Sequence, residues 1–480
     1  MVKISNYEKI LVLIFVLSLP LINPWVRGDG VGYYAFARAL LIQRNLDFRP
    51  DWRSANTSFR MGRVDAEGQP KPDQYTPTGH LDNHFSIGPA ILWSPFLVVA
   101  HLCVLSYDAV LGGRVPADGF SKPYVLTMAL GTALYGFIAL WISFRIARKY
   151  LAEEWAFLAT LGIWFASSLP VYMYFNPSWS HAHSAFVVAL FVWYWDHTRN
   201  GRSWPQWLIL GVIGGLMMDV YYPNAIFLLF PLLESLAVYW HSLSRGDRRA
   251  FGGLFLQNAV FAGVVFVAFF PTLLTKKIIY GSYLNFGYRE HWYWSSPALL
   301  RVSFSAEHGL FSWTPIVVLA LVGLFFLARH DRNLSFISMF TCAAYIYFIG
   351  CFENWNGGSS FGSRYCIPLT VLFVIGLAGL FHSLALSAAP NSRRPFALAS
   401  AATVVFVLWN FGMIFQWGTH LIPARGPISW RKAAYNQVTV VPVQMAGTLK
   451  GYLTGRKQLM RKIEDEDVRQ LKSHTPDDSQ

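Results

Sequence analysis

The chain has 480 residues, 54% of them hydrophobic, 17% aromatic and only 14% charged. A soluble domain carries about 25% charged residues, so the composition excludes an ordinary soluble globule and places most of the chain in lipid. The formal net charge of +13 is no nucleic-acid signal, because the basic residues fall in short clusters between apolar runs, the pattern of loops that face anionic lipid.

Lys3 and Lys9 lead into an apolar run over 8–26. "LPLINPWV" offers no small-residue cleavage site, so this run reads as an anchor and not as a cleaved signal peptide. Further apolar segments follow near 86–106, 124–144, 155–175, 182–196, 206–220, 224–242, 254–275, 311–328, 334–350, 366–387 and 396–416. Basic clusters stand at Arg145/Arg148/Lys149, Arg199/Arg202, Arg245/Arg248/Arg249, Arg329/Arg332 and Arg393/Arg394. Two segments separate each cluster from the next, so all five clusters can share the cytoplasmic side.

Parity then decides the first loops. The first span runs outward from a basic N-terminus, and 124–144 must enter from outside to reach Arg145, so 27–85 and 107–123 are both outer. Segment 86–106 therefore begins and ends on one face and is expected not to cross, and Pro89 and Pro95 would break or kink a straight span; the alternative is that it spans and a short segment such as 206–220 does not. The expected fold is an all-α polytopic membrane protein with about eleven transmembrane helices and one juxtamembrane helix. Its expected parts are a first span (1–26), an outer loop with juxtamembrane helices (27–123), a transmembrane bundle (124–416) and a charged tail (417–480) that ends in a short helix and a disordered end. With eleven spans the tail lies outside.

The outer loops hold most of the histidines, tryptophans and isolated charges, so the chemistry is expected there. In "NPWVRGDGVGYYAFARAL" (23–40), Asp29 stands between Gly28 and Gly30 with Arg27 beside it. The plain reading is an N-cap for the helix that follows. The functional reading is a catalytic base, since glycines on both sides suit a close approach of substrate to backbone. "QYTPTGHLDNHFSIGP" (74–89) adds Tyr75, Asp82 and His84, with His84 at phosphate-headgroup depth. His80 and His84 beside Asp82 have a spacing that a metal could use, although a hydrogen-bonded loop is the commoner case. His181 and His183 point to different faces of a helix. Arg289 lies among aromatics in "YGSYLNFGYREHWYW", and His308 precedes a span.

The richest short loop is "CFENWNGGSSFGSRYCIP" (351–368), with Trp355, Gly357, Gly358 and Arg364. Glycines expose amides that can cradle an anion, and a guanidinium fork suits phosphate. The bland reading is a glycine-rich hairpin with Arg364 reaching the headgroups. The four cysteines lack metal spacing, and Cys351 and Cys366 bracket a loop where they are expected mainly as small apolar residues. Asp219 is expected at a solvated outer end, and Glu234 lies deeper, where it must be protonated or paired.

One carboxylate, a phosphate-binding patch and aromatic walls at membrane level fit glycosyl transfer from a polyprenyl-phosphate sugar. The leaving group is a phosphate, which needs neutralising charge and no proton donor. The acceptor hydroxyl needs a base, which one carboxylate supplies. A single displacement inverts the anomeric carbon.

The order of a first span, the Asp of "RGDGVGYYAFARAL" and the proline-containing segment "HFSIGPAILWSPF" resembles the superfamily C membrane glycosyltransferases (GT-C). That group includes the protein O-mannosyltransferases and the lipid A aminoarabinose transferases. The resemblance covers about the first 150 residues and the 351–368 loop, whose "WNGGSSFGSRY" is similar to a pattern in bacterial members. It implies that Asp29 is the catalytic acidic residue, that 86–106 is the non-spanning juxtamembrane helix and that His84 meets the carrier phosphate. It also implies a multi-pass protein of a bacterial inner membrane, with its site on the periplasmic face. An Asp-Glu pair at the first loop and a Lys-Pro-Pro motif are absent, so neither sugar nor acceptor carries over.

The candidate site is thus Asp29 as catalytic residue, with Arg27, Tyr75, His84, Arg289, His308, Trp355, Gly357, Gly358 and Arg364 as substrate-binding residues and no metal ligand assigned. A divalent metal has no support in the residues. The expected partners are a polyprenyl-phosphate-linked sugar, a lipid, glycan or protein acceptor, and membrane lipids, with no nucleic acid. The rival functions are an envelope-polysaccharide polymerase, which would not need Asp29, and a lipid-linked sugar transporter or flippase, which would show inverted repeats and mid-membrane charges.

Overall fold

The computed structural model describes residues 4–389 and 392–474. It is helical throughout, with only three isolated β-bridges among the described residues. Among the described residues, seven helices are long and apolar enough to cross a membrane: Gly88–Leu111, Lys122–Tyr150, Tyr222–Ser244, Arg248–Tyr280, Arg332–Cys351, Arg364–Leu386 and Arg394–Gly418. The protein is an all-α polytopic membrane protein.

Each predicted apolar segment is a helix, but several are shorter than the eleven-span expectation assumed. The first helix, Asn6–Ser18, has 13 residues and continues only as a 3₁₀ turn over Leu19–Leu21. Glu153–Phe165 has 13 residues and ends before the Ser167-Ser168 break. Trp204–Val220 and Ile316–Leu327 are also short. A full bilayer crossing takes about 20 residues. Ile316–Leu327 is instead embedded against the Thr370–Leu386 helix through glycines. A Cβ at Gly323 would stand 1.7 Å from the Gly376 carbonyl oxygen, and one at Gly376 would stand 2.1 Å from that of Ala320. Small residues allow this backbone approach where lipid supplies no hydrophobic drive between helices.

The two ends of the bundle differ in chemistry. At one end Glu8 pairs with Arg145 at 2.7 Å and with Arg148 at 3.1 Å, and Asp196 pairs with Lys149 at 2.7 Å. Arg199 links Asp196 to Asp331, so two of the basic clusters meet there, joined to an acid that stands beside a third. Glu234 joins this end through Arg202 at 3.2 Å and the Trp195 indole at 2.7 Å, which settles it as paired. The opposite end carries the 27–85, 281–310 and 351–363 loops and the C-terminal helices.

Gly88–Leu111 runs antiparallel to Lys122–Tyr150 and touches its first half only. Tyr135 donates to the Leu92 carbonyl at 3.0 Å, the Trp93 indole donates to Thr132 at 2.9 Å, and His101 meets the Tyr124 hydroxyl at 2.7 Å. Pro95 lies inside this helix, and its outer flank exposes Val99, Leu102, Val110 and Leu111.

Asp219 is buried, contrary to the solvated end expected for it, and its carboxylate accepts from the Thr272 amide at 3.3 Å. Gly88 abuts the Asp219–Val220 peptide at 2.3 Å from a would-be Cβ, and this close packing excludes water. All four cysteines are free.

The tail differs most from expectation. It folds into three helices, Trp430–Thr439, Val441–Thr454 and Arg456–His474, and returns to the first loop. Tyr452 donates to the Leu21 carbonyl at 2.8 Å, and Arg456 donates to those of Pro20 and Ile22. Frayed last-turn carbonyls need such donors, and a charged helix can supply them. The expected disordered end beyond 474 lies outside the described residues.

Candidate functional site

The site starts at a turn. Gly28 has φ +53°, a left-handed conformation that glycine takes without strain, and it caps the Asp29–Arg38 helix. Asp29 is the first helical residue, and no side-chain cap bond forms at this terminus. The N-cap reading of Asp29 is therefore excluded. Gly28 lines the cavity, whereas Gly30 and Gly32 answer to packing. A Cβ at Gly30 would lie 1.9 Å from Ser178 Oγ, and one at Gly32 would lie 2.0 Å from the Phe85 ring.

Freed from capping, the Asp29 carboxylate turns to Arg364, whose Nη1 donates to Oδ2 at 2.6 Å. Arg364 comes from the glycine-rich loop and is only 9% exposed, against 36% for Asp29. Its guanidinium lies over the Trp179 ring at 4.4 Å and the Tyr365 ring at 5.0 Å. Trp179 in turn donates to the Arg27 carbonyl at 3.0 Å, closing a ring of contacts around the RGDG turn. A planar cation held against two aromatic faces has a fixed orientation, and its Nη2 donates to the Tyr365 hydroxyl at 3.4 Å.

That cavity measures about 1380 Å³. Asp29, Tyr33, His84, Tyr221, Tyr222, Tyr288, Arg364 and Tyr365 form its floor and walls, with Arg27, Arg63, Arg289 and Arg425 around them. Trp292, Phe348 and Phe352 add an apolar flank, in which Phe352 lies 6.1 Å from Tyr288 and 6.4 Å from Tyr365.

The His84 ring lies tilted against Phe85 at 4.2 Å and against Tyr288 at 5.1 Å. Burial pushes its imidazole below the usual range, and the nearby Asp29 charge offsets this only in part. Its surroundings thus favour the neutral imidazole in the ligand-free protein. The loop that carries it is pinned by Lys276, fully buried, whose Nζ donates to the carbonyls of Asn83 at 3.1 Å and Phe85 at 2.8 Å. Burial raises the Tyr288 phenol, and Tyr33 adds to the effect.

The other candidates fall in three groups. Gly357 and Gly358 line the cavity with φ +74° and +62°. Their amides are already bonded, to the Asn354 carbonyl at 3.0 Å and to Asn356 Oδ1 at 3.1 Å, so the expected amide cradle is not open at either. Gly357 instead makes room, since a Cβ there would stand 2.8 Å from Arg364 Nε. Arg27 and Arg289 reach the cavity but are engaged, Arg27 with Asp467 at 2.5 Å and Arg289 with Asp82 at 3.5 Å. Tyr75, Trp355 and His308 are absent from the cavity lining. Tyr75 is exposed on the 27–85 loop and pairs with Leu81 through its backbone. Trp355 lines a separate pocket of about 790 Å³ with Tyr293, Arg301 and Glu353.

His308 is buried behind the glycine loop, with Nδ1 3.0 Å from Ser360 Oγ. Burial, reinforced by the Arg364 charge, lowers its imidazole to about 4. Its φ of +61° records the tight turn that puts it there. His181 lines the cavity, while His183 packs edge-on against Trp93 at 4.9 Å, so the two do face different ways. His80 hydrogen-bonds to Thr78, and no group of three or more His, Cys, Asp or Glu stands in metal-binding array among the described residues.

Lys276, Arg63, Arg425, Asn56 and Asp467 escaped the sequence reading. Lys276 offered the clearest signal, because Lys276 and Lys277 adjoin at a helix end and cannot both face outward. Lys277 does, bonding to the Gly281 carbonyl at 2.8 Å in solvent.

No family model matches the sequence, and no curated protein matches it. Among solved structures the chain is similar to ArnT from Cupriavidus metallidurans in the apo state, at 14% identity, covering 86% of this chain and 70% of that one, with a TM-score of 0.45.

Proposed function

We propose that the protein is a glycosyltransferase that moves a sugar from a polyprenyl-phosphate donor to an acceptor on the outer membrane face, with inversion. The observation that carries this reading is Asp29 and Arg364 paired at 2.6 Å in the floor of a cavity walled by aromatics and further arginines. The cavity of about 1380 Å³ exceeds the roughly 300–1,000 Å³ of a small-molecule site. It suits a lipid-linked sugar together with an acceptor.

In this reading Asp29 takes the proton of the acceptor hydroxyl as its oxygen attacks the anomeric carbon. The bond from that carbon to the phosphate oxygen breaks, and its electron pair leaves with the phosphate. Arg364 neutralises the charge that develops there, and His84 hydrogen-bonds to the same phosphate. Arg364 moves its fork from Asp29 toward the phosphate when donor binds, which leaves the carboxylate free to act as base. Arg63 and Arg425 add positive potential to the same cavity. The apolar flank of Trp292, Phe348 and Phe352 receives the polyprenyl chain.

The test is transfer by the purified protein in liposomes, with a radiolabelled polyprenyl-phosphate hexose or pentose as donor and cell-envelope lipid extract as acceptor. Covalent transfer that requires Asp29 supports the reading. Movement of labelled donor across the bilayer without a new glycosidic bond would replace it with a transport function.

A further inference from the structure

The C-terminal helix reaches the Asp29 turn at two points. Glu464 is buried, although it lies in the most charged stretch of the chain. Its carboxylate accepts from the Ser58 amide at 2.6 Å and from Asn56 Nδ2 at 3.0 and 3.1 Å. That fixes the orientation of the Asn56 amide, because a carboxylate can only accept. The other end of Asn56, Oδ1, therefore faces the RGDG turn and accepts from the Gly28 amide at 3.3 Å. Gly28 immediately precedes Asp29 and holds the left-handed φ of +53°. One residue earlier, Arg27 is clamped by Asp467 at 2.5 Å, and Asp467 also meets His420 at 2.9 Å. Against the burial that would raise it, His420 and Arg27 hold the Asp467 carboxyl below the ordinary range. Asp467 itself lines the cavity.

Asn56 has no capping bond of its own to explain its place at the start of the Thr57–Arg60 turn. A second donor contact, to Ser58 Oγ at 2.7 Å, uses the same amide nitrogen and leaves Oδ1 for Gly28. The chain of contacts is directional: carboxylate, amide NH₂, amide oxygen, Gly28 N–H, Asp29.

We propose that Glu464 and Asn56 are positioning residues, through which the C-terminal helix sets the Gly28 turn and thereby aims the Asp29 carboxylate. This inference rests on Asp29 acting in the reaction. The tail, 408 residues away from Asn56 in sequence, is on this account part of the active site and not an appendage.

The experiment exchanges the two chemical groups. Asn56→Asp alone sets carboxylate against carboxylate. Asn56→Asp with Glu464→Gln restores a donor facing an acceptor, keeps an acceptor for Gly28 and keeps one for Ser58. With the labelled donor in liposomes, Asn56→Asp should lower kcat by about 10²-fold, the scale of an ångström-level misplacement. KM for the donor should stay within about threefold, and the double variant should return most of the lost kcat. Asn56→Ala, which removes the acceptor and adds no charge, carries the same expected kcat loss and decides the matter where Asn56→Asp does not accumulate. Wild-type kcat in Asn56→Ala, or a double variant no better than Asn56→Asp, would overturn the positioning role. Asp29→Asn, run alongside, separates the cases: activity there removes the base assignment itself, whereas an inactive Asp29→Asn with an unaffected Asn56→Ala removes only this inference.

Discussion

Asp29 and Arg364 stand 335 residues apart in sequence and 2.6 Å apart in the fold. The guanidinium lies between Trp179 and Tyr365, so it is placed by ring faces and by the charge it pairs with. Arg364→Lys keeps the charge and loses both the planar fork and the stacking. Transfer should fall about 10²-fold or more, the scale set by one lost charge-stabilising donor. Assays at saturating donor would show this as lost kcat, and a variant with unchanged kcat would reduce Arg364 to a binding group.

Lys276 sets the second side of the site. Its ammonium satisfies two backbone carbonyls, of Asn83 and Phe85, in the segment that carries His84. Lys276→Met fills similar space and leaves both carbonyls without that donor. Each buried unsatisfied group costs about 1–3 kcal/mol, so the unfolding temperature in detergent should drop by several degrees. A variant as stable as wild type would show that water replaces the lysine.

The glycines divide into two kinds, and alanine tells them apart. Gly30→Ala drives a methyl into Ser178 Oγ and the backbone behind it, at 1.9 and 3.1 Å. Overpacking of this kind costs about 1–3 kcal/mol. Gly358→Ala meets nothing within 4 Å and carries only the strain of φ +62°, which costs about 1–2 kcal/mol. Both variants should be less stable than wild type in thermal melts, but only Gly30→Ala should also disturb transfer, because it shifts the Asp29 helix.

His308 gives the pH dependence. In the folded chain its imidazole titrates near 4, whereas the unfolded value is 6.5. Below pH 6.5 the unfolded state binds a proton that the folded state refuses, so acid favours unfolding. The stability tied to His308 is present above pH 6.5 and is lost as the pH falls from there through about 4. Melting curves across this window should show a drop that His308→Gln reduces, since glutamine can still meet Ser360. An unchanged slope in that variant would assign the acid sensitivity to other groups.

Much of this architecture was legible from charge and hydropathy. The first two basic clusters do meet at one end, because an apolar helix must deliver its flanking cations to a wet surface. Glu8 anchors them there with Arg145 and Arg148. Asp29 and Arg364 stood out because a lone charge between glycines in an apolar chain needs a reason. Their pairing was not legible, since nothing local links residue 29 to residue 364. The packing of the glycines was not legible: Gly30 answers to Ser178 and Gly32 to Phe85, contacts that no spacing rule reveals. Helix lengths were overstated at segments such as Ile316–Leu327, which packs one face on its neighbours and is too short to cover a bilayer's thickness alone. The tail was the largest gap. A charged helix reads as solvated, and only its partners, Asn56, Ser58 and Arg27, show that its acids face inward.

The account turns on Asp29 as the base. The decisive measurement is the single-turnover rate of sugar transfer by wild type and Asp29→Asn in liposomes, with donor binding followed in the same samples. The expected result is a loss of about 10²–10⁴-fold in rate, the range for a positioned base, with donor still bound. Transfer by Asp29→Asn at the wild-type rate would contradict the account.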